Sequence, residues 1–156
     1  MSAGFEDMVR LSEYDYLTCK AMEPHFPDEF AVRTAAYHLQ QAIEKQLKAM
    51  ILFNGENPPF THDIERLVGI CSRLGMTFSD TLDEISDTLT LWESKSRYDP
   101  FITVSPKKYE KAKSVYHELK ETLTMQMNGI QAEDLDEPKE TESLDLTLKK
   151  RILTQS

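Results

Sequence analysis

Apolar residues recur along this chain at three- and four-residue steps, in runs that proline and glycine cut short. Ala36, Leu39, Ile43, Leu47 and Met50 make one such stripe. Phe78, Leu82, Ile85, Leu89 and Trp92 make a second, and Tyr109, Ala112, Tyr116, Leu119, Leu123 and Met127 a third. Side chains spaced this way lie on one side of a helix and must be buried against another element. Only 5 glycines and few β-branched clusters leave little material for a sheet. The pattern predicts an all-α, up-and-down bundle of four to five helices.

The breakers set the boundaries. A first helix is expected from about Phe5 to Glu23, ended by Pro24 and Pro27. A second should start near Asp28 and run to Phe53, where Asn54-Gly55 supplies a stop. Pro58-Pro59 then forces a loop, Thr61 is a candidate cap for a third helix carrying Ile64, Leu67, Val68 and Cys71, and Gly75 closes it. A fourth begins near Ser79. Tyr98 to Val104 is irregular around Pro100, and Ser105-Pro106 is a strong start for a fifth helix, ended by Gly129.

This divides the chain into a bundle over 1–130 and an acidic, flexible tail over 131–156. Residues 132–145 hold seven acids against Lys139, a net charge of -6. Leu144 to Leu153 first alternates leucine with polar residues, then runs into LKKRIL, either a docking segment or a sticky terminus. There are no internal repeats.

The whole chain carries a net charge of -9, and residues 1–131 alone carry -6. General affinity for nucleic acid is not expected of such a surface, so any phosphate contact needs a local basic patch. No stretch approaches the roughly 18 uncharged residues of a membrane span, and MSAGFEDMVR does not read as a secretory signal. Cys19 and Cys71, with no CxxC, read as buried small hydrophobes of a reducing cytoplasm.

The second predicted helix has a polar stripe as well: His38, Gln41, Glu44, Lys45 and Lys48. On spacing alone it is a solvated face, with a Glu44–Lys48 pair worth a few tenths of a kcal/mol. Metal signals are confined to one HxxE (His62, Glu65) and one DxD (Asp134, Asp136), neither with companion ligands, so neither metal nor other cofactor is expected. No phosphate-cradling glycine loop or nucleophile motif appears. His25 and His117 look incidental, and His62 reads as a structural cap or a hydrogen-bonded linker between helices.

The run HLQQAIEKQLKAMILFNGENPPFTHDIERLV resembles the signature of HEPN domains, a Q-x-x-E-K-x-x-K-A helix followed by a glycine loop and T-H-D-[LI]. SRYDPFITVSPKKYEKAKSVYHELK is similar to that family's R-Y-P loop and closing helix, and Tyr14-Asp15 and Ala21 sit where its opening helix lies. The likeness covers roughly residues 5–125. It implies a helical bundle, often homodimeric, from the prokaryotic cytosol, acting in defence, stress or toxin–antitoxin systems, often beside a minimal nucleotidyltransferase. Active members are metal-independent endoribonucleases with an R-x4-6-H motif, in which histidine moves the 2′-OH proton and arginine steadies the phosphate.

Arg97 stands at the arginine position, but no histidine follows at the required spacing. The tyrosine of the R-x4-H-x-Y variant is unmatched too, since Tyr98 comes too early and Tyr109 too late. The resemblance therefore implies a noncatalytic or weakly catalytic, homodimeric binder of a nucleotide, RNA or protein partner, with Gln41, Glu44, Lys45, Lys48, Arg97 and Tyr98 as the ligand-binding residues. Lys107-Lys108 could converge with Lys45, Lys48 and Arg97 at one end or across a dimer seam; the alternative is that Arg97 is a structural residue pairing with Glu44 or Asp99 and the lysines only keep the surface wet. Two alternatives stand beside it. One is a ribonuclease toxin pairing Arg97 with an unusually placed base, His38 or His62. The other is an adaptor or antitoxin acting through its acidic tail, whose deletion would then abolish association.

Overall fold

The structure, a computed structural model, describes residues 4–129. The expected acidic tail and the Leu144–Leu153 segment lie outside the described residues. Five α-helices follow in order: α1 (Phe5–Met22), α2 (Glu29–Phe53), α3 (Ile64–Arg73), α4 (Asp80–Tyr98) and α5 (Pro106–Met127), with a 3-10 turn at Glu23–His25 between α1 and α2. Among the described residues there are no strands, and no helix is long and apolar enough to cross a membrane.

Helix α2 is the axis of the bundle and packs against all four others. Its stripe of Ala36, Leu39, Ile43, Leu47 and Met50 is fully buried, as are Leu82 and Leu89 of α4 and Ala112, Tyr116 and Leu119 of α5. The three seams read from spacing therefore meet in one core. Cys19 and Cys71 are free thiols buried within it.

The breakers act as expected, with two adjustments. Asp28 caps α2 by accepting from the Ala31 N–H, and Ser105 caps α5 by accepting from the Lys108 N–H. Gly55 and Gly75 end their helices at φ of +88° and +97°, a conformation that favours glycine. Helix α1, however, stops at Met22, and its chain continues into the 3-10 turn. Helix α3 is capped by Asp63, not Thr61: the Asp63 carboxylate accepts from Arg66 N–H, while the Thr61 hydroxyl accepts from Asp63 N–H. Thr61 is two positions too early to reach the helix, so it shapes the turn ahead of the cap.

That turn sets up the site. Ile64 N–H, at the start of α3, donates to the Thr90 hydroxyl of α4 at 3.3 Å. The bond ties the Thr61-His62-Asp63 turn to α4 just ahead of Glu93 and Arg97. The last turn of α4 is held in turn by Arg33 of α2, whose guanidinium donates to the Ser96 carbonyl, one of the terminal carbonyls a helix leaves unpaired.

Candidate functional site

Five charged or ionisable side chains from three elements meet beside the Thr61-His62-Asp63 turn. His62 Nδ1 lies 2.8 Å from Glu44 Oε1 of α2, and His62 Nε2 lies 3.1 Å from Arg97 Nη2 at the end of α4. Arg97 Nη2 is also 2.6 Å from Glu93 Oε1, one turn back on the same helix. Lys48 reaches Glu44 Oε2 at 3.1 Å. The fully buried Gln40 donates to Glu44 Oε1 at 3.1 Å, and its own carbonyl accepts from Gln41 at 2.7 Å.

Burial sorts these groups into two layers. Glu44 and Glu93 are only 2% and 5% exposed. The His62 and Arg97 side chains are 44% and 45% exposed. Two carboxylates thus lie inside, and an imidazole and a guanidinium lie outside, each anchored by a carboxylate behind it. Isolated buried carboxylates would be costly; here Glu44 accepts a charge-assisted hydrogen bond from Lys48, and Glu93 is offset by its ion-pair contact with Arg97. The Glu44–Lys48 pair is therefore no solvated surface pair, as spacing alone suggested, but part of a half-buried network.

The partners also assign the proton on His62. Nδ1 faces a carboxylate and so carries the hydrogen, which leaves Nε2 with its lone pair toward Arg97 and solvent. A carboxylate holding Nδ1–H is the arrangement that fixes a histidine's orientation where Nε2 must accept a proton. Arg97 spends Nη2 on Glu93 and His62, and a guanidinium has further N–H donors suited to a phosphate edge. Lys48 and Arg97 stand against Glu44 and Glu93, so the formal charges of these four side chains cancel around the imidazole.

The remaining sequence candidates separate from this centre. His38 does not meet Arg97: its Nδ1 lies 2.8 Å from Asp15 of α1, and Lys45 also reaches Asp15, at 2.5 Å. They form a second, α1-facing cluster. Lys108 donates to Thr88 at 3.0 Å, more than two helical turns before Arg97, so the expected convergence of Lys45, Lys48, Arg97 and Lys107-Lys108 is not seen. Arg97 does not pair directly with Glu44 or Asp99. Gln41 is buried at 8% exposure, and Tyr98 is 86% exposed beside Arg97. His25 and His117 are both exposed, and His117 Nε2 meets the Tyr16 hydroxyl at 2.9 Å. Partial burial, together with the nearby Lys120 and Lys113, holds its pKa below the usual histidine value.

Gln40 and Glu93 were missed. Glu93 had a signal, a glutamate four residues before Arg97, the favourable order for a helical ion pair. Gln40 had none beyond adjacency to Gln41. Among the described residues no group of three or more His, Cys, Asp or Glu side chains is arranged to hold a metal ion; Glu44 and Glu93 approach opposite nitrogens of His62.

A family model of the HEPN domain matches residues 18–127, most of the bundle and all of the residues just described except Asp15 and Tyr16. No curated protein and no solved structure matches the chain.

Proposed function

We propose, from the premise that this chain belongs to the HEPN domain family, that it binds the phosphate of a nucleotide or RNA on the open side of the Arg97–His62 pair. The observation that carries this reading is the layering. Arg97 and His62 face solvent while their carboxylate anchors are buried, so the recognising groups are held in place before a ligand arrives. Lys48 adds a cation on the α2 side, and Tyr98 is an exposed ring next to Arg97 that a base can stack on. In the family setting the protein works as a homodimer of a defence, stress or toxin–antitoxin system, with a minimal nucleotidyltransferase as a fitting partner. Leu11, Tyr14 and Leu17, exposed together along α1, give a dimer an apolar surface to use.

Fluorescence anisotropy with a labelled short RNA and a labelled nucleotide, at fixed salt, tests the site. Arg97→Ala should weaken binding at least tenfold and Lys48→Ala by less, with the helical signal unchanged. Equal affinity for both variants and the parent would reject the assignment.

A second reading, metal-independent RNA cleavage, is favoured by one observation. His62 offers Nε2 beside Arg97, which supplies a base near an arginine even though the histidine precedes the arginine in sequence. Incubation with mixed RNA in EDTA should then release fragments, and both His62→Ala and Arg97→Ala should stop the release. RNA that stays intact with excess protein would leave binding as the function.

A further inference from the structure

At the N-terminal end of α2 the bundle carries an apolar cleft of about 510 Å³ that the phosphate site does not use. It lies between the Phe26-Pro27 turn, the first turns of α2, the loop that joins α4 to α5, and the start of α5. Val32, Phe101, Ile102, Val104 and Tyr109 line it, and Phe101 is 81% exposed although its neighbours are apolar. The charged groups on its walls are two acids, Glu29 and Glu110, both exposed. An open apolar cleft with an acidic rim suits an occupant that is itself apolar and basic.

One segment of this chain has that chemistry and lies outside the described residues. Residues 144–153 read LDLTLKKRIL, with three leucines at every second position, then three consecutive cations, then Ile152 and Leu153. We infer that this segment docks in the cleft of its own chain, its leucines against Ile102, Val104 and Val32 and its Lys149-Lys150-Arg151 cations toward Glu29 and Glu110. The reach is sufficient. The cleft sits at the beginning of α5 and the described chain leaves at its end, so the segment must return along a helix of 22 residues, roughly 33 Å. Residues 130–143 precede the segment, and extended they span roughly 46 Å. Residues 133–142 carry six acids, so the leucine and cation run is the part whose chemistry matches the cleft.

The docked segment would cover Phe101 and the loop from Asp99 to Ser105, which begins directly after Arg97 and Tyr98. This links residues 144–153 to the last turn of the helix that carries the site arginine.

The test uses the full chain and its methyl resonances. A Leu146→Asp/Leu148→Asp double variant should shift the methyl signals of Val32, Ile102 and Val104 and leave those of the core residues Leu67 and Ile85 unmoved. Lys149→Glu/Lys150→Glu should move the same cleft signals, by less. The cleft signals of the parent should be unchanged on tenfold dilution, as expected of a contact within one chain. Cleft signals that ignore the leucine substitutions would overturn the inference. So would parent cleft signals that move on dilution, since the occupant would then be a second copy. Unmoved Leu67 and Ile85 signals report that the variants fold.

Discussion

Replacing Glu44 with alanine separates an organising carboxylate from a surface one. Glu44 is 2% exposed and accepts hydrogen bonds from Gln40 and Lys48, with His62 on the same carboxylate. Lys48 and His62 reach solvent and can pair with water once the carboxylate is gone. Gln40 is fully buried and cannot. Its orphaned amide costs about 1–3 kcal/mol, and the emptied space left by the buried side chain adds about 1 kcal/mol. Glu44→Ala should therefore destabilise the bundle by about 3 kcal/mol, lowering the thermal midpoint by about 6–12 °C. Glu44→Gln keeps the volume and an acceptor for Gln40 and His62, and should recover at least half of that loss. Thermal unfolding followed by helical circular dichroism reads both. A Glu44→Ala midpoint within 2 °C of the parent would show that the carboxylate anchors nothing, and the layered site would fall with it.

Three further expectations follow from the same network logic. Burial pushes the Glu23 carboxyl up, but hydrogen bonds from Lys20, Tyr109 and Lys113 outweigh it and hold its pKa at about 2, down from 4.5. The stability it contributes is complete above about pH 4.5 and is lost as pH falls toward 2, so acid unfolding of Glu23→Gln should be flatter than the parent's across that window. Burial pushes the Cys19 thiol up to about 11 and Cys71 up to about 12. Thiol reagents at pH 8 should modify neither in the folded protein and both after unfolding. Ser105→Ala removes the α5 cap and should cost about 1 kcal/mol in denaturant unfolding, with α5 still formed.

Much of the fold was legible because its determinants are local. Stripes of leucine and isoleucine, Asp28, Ser105-Pro106 and the glycines at 55, 75 and 129 each act within a few residues of themselves. Thr61 against Asp63 was harder, since both are good caps and the choice depends on where the chain turns. The site was less legible. The family motif directs attention to a histidine after Arg97, and none follows. The imidazole comes from 35 residues earlier in the chain, delivered by the Ile64–Thr90 bond that ties the turn to α4. No spacing rule contains that bond. Likewise His38 and Lys45 share the polar stripe with Glu44 and Lys48, but helix rotation turns them toward Asp15 of α1. A stripe read as one surface is in fact two banks.

Imidazole nitrogen chemical shifts test the central claim most directly. With a short RNA added in EDTA, the account predicts that the Nε2 signal of His62 moves in proportion to binding, that those of His25 and His117 stay fixed, and that Arg97→Ala abolishes the movement. RNA that binds while the His62 signal stays in place would put the ligand elsewhere on the bundle and contradict the account.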